Sequence, residues 1–322
     1  MLITESINVY FHKHTTCQKA SGAMAVLVLC GLMMLGVMAA SCSHRSQTSM
    51  QIDQAYEYWE KDEFTRGKQI IDSLLASADV AGMEDYDNAY LGLAVMMFGT
   101  EVDDIEMGTK GYNMASKAYT SNPAICEKVV AEASYFKDEQ LNYQEILQAA
   151  AIVLNDLRLK EKAINEWSTQ WTDMMLGERR NVDEMLVLQE DGTFIEYSTF
   201  WIKETEGDYE YKAKANIKSG GQWDIEGGII TMTYEMQYFT TKVTDFKMYL
   251  SDAGFWGGDW FEKAIAASIS EKQVLEDLRQ ELYNAAYIAY EGGICTAEIR
   301  FNNTNMIFES PSRKRVYTLV QD

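Results

Sequence analysis

Eleven consecutive residues, 208–218, alternate polar and apolar side chains without a break, an order no amphipathic helix can use. Tyr209, Tyr211, Ala213, Ala215 and Ile217 fall on one side; Asp208, Glu210, Lys212, Lys214, Asn216 and Lys218 fall on the other. Successive side chains of a strand point to opposite faces, so this run is a strand with one face in a core and one in water. Antiparallel sheets are built from such strands. Cys295, Ala297, Ile299 and Phe301 alternate in the same way with Thr296, Glu298, Arg300 and Asn302. Gly192, Gly207, Gly220-Gly221, Gly227-Gly228 and Asn302-Asn303 fall between such runs, where turns need them. The pattern predicts eight strands, at 184–189, 193–203, 208–218, 221–226, 229–236, 294–302, 304–309 and 315–320.

Upstream the period is that of a helix. Ile70, Ile71, Leu74, Leu75 and Ala78 share one face, as do Ile146, Leu147, Ala150, Ala151, Leu154 and Leu157. Residues 90–98 are apolar nearly all round, which suits a helix enclosed by others. About five helices are expected between residues 50 and 176. The expected fold class is α+β: an N-terminal helical hairpin array, then an antiparallel β-barrel or half-barrel. Gly99, Gly111, Ala118 and Pro123 stand 12, 7 and 5 residues apart. In that spacing the segment resembles one tetratricopeptide repeat, where small residues let paired helices approach and proline ends the second. The resemblance implies a protein-binding surface.

The first 41 residues have the layout of an export signal. Lys13 and Lys19 precede an apolar stretch, 23–38, then small residues Ala39-Ala40-Ser41 and Cys42. This order resembles the lipobox of bacterial lipoproteins, which implies cleavage before Cys42, a diacylglycerol on its sulfur and anchoring to a membrane. Ser43 in place of an aspartate resembles the outer-membrane sorting pattern, and 42–50 reads as a polar tether. Two other fates stay open: an ordinary secretory cut that leaves Cys42 bare, and retention of 23–38 as a membrane helix.

Composition removes whole classes of chemistry. The three histidines, His12, His14 and His44, all lie in the leader or tether. The body therefore offers no imidazole base, no Ser-His-Asp or Cys-His catalysis, and none of the commonest metal ligand. No phosphate-binding glycine loop, Gly-x-Ser-x-Gly elbow or calcium loop is present. No metal or cofactor is expected. The net charge of −21 makes nucleic acid a poor partner. Cys126 and Cys295 would be free to pair in an oxidising compartment, or to stay as separate thiols. Arg179-Arg180 and Arg313-Lys314-Arg315 are expected to tie strands or domains to acidic surface.

A second resemblance covers 165–322. Leu188-Gln189-Glu190-Asp191-Gly192-Thr193-Phe194, Gly221-Gln222-Trp223-Asp224-Ile225, Ile229-Ile230-Thr231-Met232 and Tyr317-Thr318-Leu319 resemble the hairpin, Gly-x-Trp-x-Ile strand and closing strand of lipocalin-like domains in bacterial lipoproteins. The resemblance implies a closed β wall around an apolar small molecule. It sets the domains at 51–176 (helical) and 177–322 (β), the latter interrupted by a helical insertion, 256–290. That insertion would pack across a barrel mouth or against the N-terminal helices. Trp201, Tyr209, Tyr211, Trp223 and Ile225 are the candidate pocket residues, and plain core packing is their other reading. Phe255, Trp256, Trp260 and Phe261 form a candidate lid or contact patch, or a staple for the inserted helix. The expectation is a non-enzymatic outer-membrane lipoprotein that binds a small apolar molecule or lipid. An envelope scaffold that binds a protein partner through its helices is the alternative.

Overall fold

The computed structural model describes residues 46–77, 82–133, 135–136, 141–206, 209–250, 260–311 and 313–321, with the backbone alone given at 206, 250 and 260–270. The expected signal peptide and Cys42 lie outside these residues. The chain divides into two compact units between Leu157 and Arg158.

The first unit is helical: α1 (Gln47–Trp59), α2 (Phe64–Ser77), α3 (Asp85–Glu101), α4 (Ile105–Ser121), α5 (Pro123–Glu132) and α6 (Tyr143–Ala163), the last running on into the second unit. Caps set the starts. The Ser46 hydroxyl accepts from the Ser49 N–H (3.0 Å), and the Asp104 carboxylate from that of Met107 (2.9 Å). Pro123 occupies the first turn of α5, so it opens that helix after α4 has stopped at Ser121. In α3 every residue from 89 to 100 is buried, because α1, α2, α4 and α5 all pack against it. Glycines make this possible. A Cβ on Gly99 would stand 2.2 Å from the Gly108 nitrogen, and one on Gly111 would stand 2.1 Å from that of Met96. The α3 and α4 backbones thus touch directly. Tyr56, Trp59, Phe98, Tyr135 and Phe136 fill the space beside them with stacked and edge-on rings.

The second unit is a closed antiparallel barrel. Its strands are β1 (Asn165–Met175), β2 (Glu178–Leu188), β3 (Thr193–Glu206), β4 (Tyr209–Glu226), β5 (Ile229–Tyr234), β6 (Thr240–Leu250), β7 (Ile294–Asn302), β8 (Asn305–Ser310) and β9 (Arg313–Leu319). Eight of them form a ring in the order β3-β2-β1-β9-β8-β7-β5-β4, which β3 closes by pairing with β4 from Thr193–Gln222 to Glu206–Tyr209. β4 is long enough to share its other edge: its C-terminal part carries β5 and its N-terminal part carries β6. Helix α7 (Trp260–Tyr290) is inserted between β6 and β7.

The sequence reading differs from this in three places. β1 lies in the stretch assigned to the helical half, because only Ile164 separates it from α6. β6 was not foreseen. The runs 208–218 and 221–226 are one strand, since Gly220 and Gly221 sit inside β4. A Cβ at Gly221 would meet the Thr233 carbonyl at 1.9 Å, and one at Gly220 the Phe194 carbonyl at 2.5 Å. Those glycines serve close strand approach, not a turn.

The interior has two apolar ends. Trp167, Leu186, Leu188, Phe194, Trp223, Ile225 and Ile230 pack at one. There Gly192, at φ +78°, makes the hairpin turn, and its carbonyl accepts from the Trp223 N–H (2.7 Å). At the other end Leu278, Leu282 and Ala286 of α7 join Val182, Phe200, Ala213, Ala215 and Ile217 of the wall. The inserted helix therefore docks on the barrel, against β6 and β4, and stops that end.

Candidate functional site

Between the two apolar ends lies a cavity of about 480 Å³, within the usual size range of small-molecule sites. Phe200, Ile217, Met232 and Phe308 of the strands wall it, together with Leu282 and Ala286 of α7. Met174, Met175 and Leu176 stand at its rim; Met174 is largely exposed. Short side chains on the helix, Ala285, Ala286 and Ala289, leave the room that larger ones would fill.

Its polar part comes from inward positions of the same alternating strands. In β2 the inward series is Arg180, Val182, Glu184, Leu186 and Leu188; in β3 it is Phe194, Glu196, Ser198, Phe200 and Ile202. Two carboxylates thus occupy positions where apolar groups would be expected, and they are only 3 % and 4 % exposed. The register places Glu184 opposite Ser198 and Glu196 opposite Leu186, one step apart on the inner face.

Their surroundings differ. Glu184 accepts from Arg315 Nη1 with both oxygens (3.0 and 2.9 Å), from Trp171 Nε1 (2.7 Å) and from the Tyr317 hydroxyl. Glu184 is fully buried in this ion pair and Arg315 largely so, with the Arg315 guanidinium 4.2 Å from the centre of the Trp171 ring. Burial alone would lower the Arg315 pKa, but Glu184, Tyr317 and Glu196 together outweigh that and hold it above its ordinary value. Arg315 Nε has no hydrogen-bond partner among the described residues.

Among the described residues Glu196 has hydroxyl partners only: Tyr234 (2.9 Å), Tyr290 of α7 (3.2 Å) and Ser198 (3.3 Å). Burial pushes its pKa from 4.5 up to about 7; the Glu184 charge adds to this, and Arg315 opposes it together with the Tyr234 and Tyr290 hydrogen bonds. Burial, followed by the Glu196 charge, raises the pKa of both tyrosines, so they stay protonated as donors. Tyr317 is raised likewise, by burial and then Glu184. Cys295 also lines the cavity; it is exposed, yet loss of water to its neighbours raises its thiol. Cys126 and Cys295 are both free.

None of the five residues singled out by sequence lines this cavity. Trp201 points outward, 46 % exposed, with Lys212 Nζ 4.2 Å from its ring centre. Tyr209 is half-buried at the start of β4. Tyr211 packs on Phe246 under α7 and donates to Glu204 (3.3 Å). Trp223 and Ile225 belong to the packed end, where the Trp223 indole donates to the Gln189 carbonyl (3.1 Å). Phe255 and Trp256 of the candidate lid lie outside the described residues, and so do the side chains of Trp260 and Phe261. Arg313 pairs with Asp173 at the rim, while Arg315 binds inside the barrel and not on its surface.

Sequence reasoning missed Glu184, Glu196 and Arg315. The available signal was parity: each stands in step with inward apolar neighbours, Val182 and Leu186, Phe194 and Phe200, Tyr317. Among the described residues no group of histidine, cysteine or carboxylate side chains is placed to hold a metal ion. No helix among them is long and apolar enough to cross a membrane. The arrangement is suited to holding a molecule that is apolar over most of its length and polar at one point. No protein-family model matches this chain, and neither does any curated protein.

Proposed function

We propose that the chain is an outer-membrane lipoprotein, anchored through a lipid on Cys42, whose barrel binds a small and largely apolar molecule without turning it over. The observation that carries this reading is the cavity of about 480 Å³ inside a closed barrel, bounded by apolar side chains on strands and on α7. An eight-stranded barrel is at the size where the interior is either filled or holds one small ligand, and here it is not filled. The absence of histidine from residues 45–322 favours binding over acid–base chemistry.

Native mass spectrometry of the full chain, extracted from its own membrane, tests the binding half. A retained molecule of defined mass, lost when Ala286→Phe fills the cavity, is the expected result; a protein of bare polypeptide-plus-lipid mass that takes up no apolar probe overturns it. The anchoring half is tested by Cys42→Ala, which should abolish incorporation of labelled palmitate and release the protein from the membrane fraction.

A further inference from the structure

We infer that the cavity selects an amphiphile with a cationic head, a protonated amine being the simplest, seated on Glu196 with its apolar body against α7. This rests on the binding role proposed above and names the ligand class.

Of the two inward guanidinium groups among the described residues, Arg180 pairs with Glu204, and Arg315, one-fifth exposed, is bonded through Nη1 to both oxygens of Glu184. At the rim Asp173 and Arg313 neutralise each other. Among the described residues Glu196 is left with three hydroxyl donors and no directly bonded cation. A carboxylate has about four acceptor sites, so one remains. A buried carboxylate in that position is ionised only at a cost, because the charge has lost water and gained no counter-ion.

Each element packed around Glu196 contributes a group that bears on this. Tyr234 of β5 and Tyr290 of α7 donate to it, and Tyr317 of β9 is occupied with Glu184. Cys295 of β7 is held as a neutral thiol. Among the described residues the one positive charge that acts on Glu196 is that of Arg315 of β9, whose hydrogen bonds go to Glu184 and which does not offset the burial of Glu196. A ligand ammonium would supply the missing charge as a charge-assisted hydrogen bond in a site shielded from water. The Tyr234 and Tyr290 rings, 4.9 Å apart, stand beside that place, where ring faces also favour a cation. A carboxylate ligand would instead meet Glu196 and Asp173 on the cavity wall, with Arg313 and Arg315 already paired to Asp173 and Glu184 and only the Arg315 Nε left to donate. The acidic chain, −21 overall, draws cations towards the barrel and repels anions.

Three probes of equal length separate these cases: hexylamine, 1-hexanol and hexanoate, titrated calorimetrically into the full chain in lipid discs, with empty discs as the blank. At pH 8 hexylamine should bind at least about tenfold tighter than hexanol, with hexanoate weakest. At pH 6 the amine should lose about tenfold, since Glu196 takes up its proton near pH 7 while hexanol is unaffected. Glu196→Gln should bind amine no better than alcohol, with alcohol affinity kept within about twofold. Hexanoate equal to or tighter than hexylamine, or an amine preference that survives in Glu196→Gln, overturns the cationic head and leaves the barrel as a binder of another class. The wild-type probe series decides the matter even if the variant folds poorly. If none of the three probes binds and no molecule co-purifies, the binding role itself falls, and this inference with it.

Discussion

The two units solve the problem of their interiors in opposite ways. In the helical unit, α3 and α4 come together by removing side chains, with Gly92, Gly99, Gly108 and Gly111 bringing backbone onto backbone. Nothing fixes the distance between two helices except what stands between them, so small residues close the gap. The barrel has no such freedom. Its ring is held by strand pairing, and eight strands set the diameter whatever points inward. Where Ala297 of β7 and Ala286 of α7 both line the interior, space remains. Interior polarity follows the same division. In the helical unit the buried Asp87 carboxylate accepts from Ser46 and Ser49 at the start of α1. In the barrel, Glu184 and Glu196 sit among the inward side chains of β2 and β3.

The largest effect should come from breaking the Glu184–Arg315 pair. Among the described residues Glu184→Ala removes the one carboxylate paired with the largely buried Arg315 guanidinium, and it also strands the Tyr317 hydroxyl and the Trp171 indole. Loss of one partner of a buried pair costs about 3–5 kcal/mol, so urea denaturation of this variant should show a midpoint far below wild type. A change under about 1 kcal/mol would mean that water reaches the pair, and the barrel would then have no dry interior. Gly99→Val tests the other side of the comparison. Its Cβ has no position that avoids the Gly108 backbone, so α3 and α4 must part. A loss of about 2–3 kcal/mol is expected, followed as helical circular dichroism at 222 nm during denaturation.

How much of this could be read from the residues depended on the range of the physics involved. The alternation in 208–218 is local, and β4 appears where it predicts. The β character of 165–175 is not local in that sense. Trp167, Trp171 and Met175 are spaced for a strand face and for a helix face alike, and only pairing with 178–188 decides. The site was the least legible part. Tyr290 and Arg315 lie 94 and 131 residues from the carboxylates they serve, and no spacing rule reaches that far. Trp201 looked like pocket lining because it is large and aromatic. Its parity with outward Tyr197 and Thr199 was the better guide, and β3 obeys it.

A smaller and pH-dependent effect belongs to Glu196. Its folded pKa of about 7 lies above the ordinary value of 4.5, so near pH 6 the folded chain keeps a proton that the unfolded chain releases. The carboxyl is neutral in both states below about pH 4.5, and the fold then bears no penalty. Between pH 4.5 and 7 the penalty grows, and above 7 it is complete. Glu196→Gln carries no such charge. Its stability relative to wild type should rise with pH, from near equality at pH 4.5 to a gain on the order of 2 kcal/mol at pH 8. A difference that stays flat across this range would place the Glu196 carboxylate in contact with water.

The smallest expected effect is the sharpest test of the contrast, because it asks the barrel to accept what the helices cannot. Ala297→Val adds two methyl groups to a buried residue, as Gly99→Val adds a whole side chain to another. Ala297 lies in β7 opposite Ile230 and lines the cavity, so the new methyls point into open space. Valine suits a strand as well as alanine or better, and each added carbon gains apolar contact. Stability should change by less than about 1 kcal/mol, in contrast to the helical variant. The methyls take volume that a ligand would use, so uptake of the apolar probe should weaken although the fold does not. A loss comparable to that of Gly99→Val would mean that the barrel is packed as closely as the helices, and the difference between the two interiors would disappear.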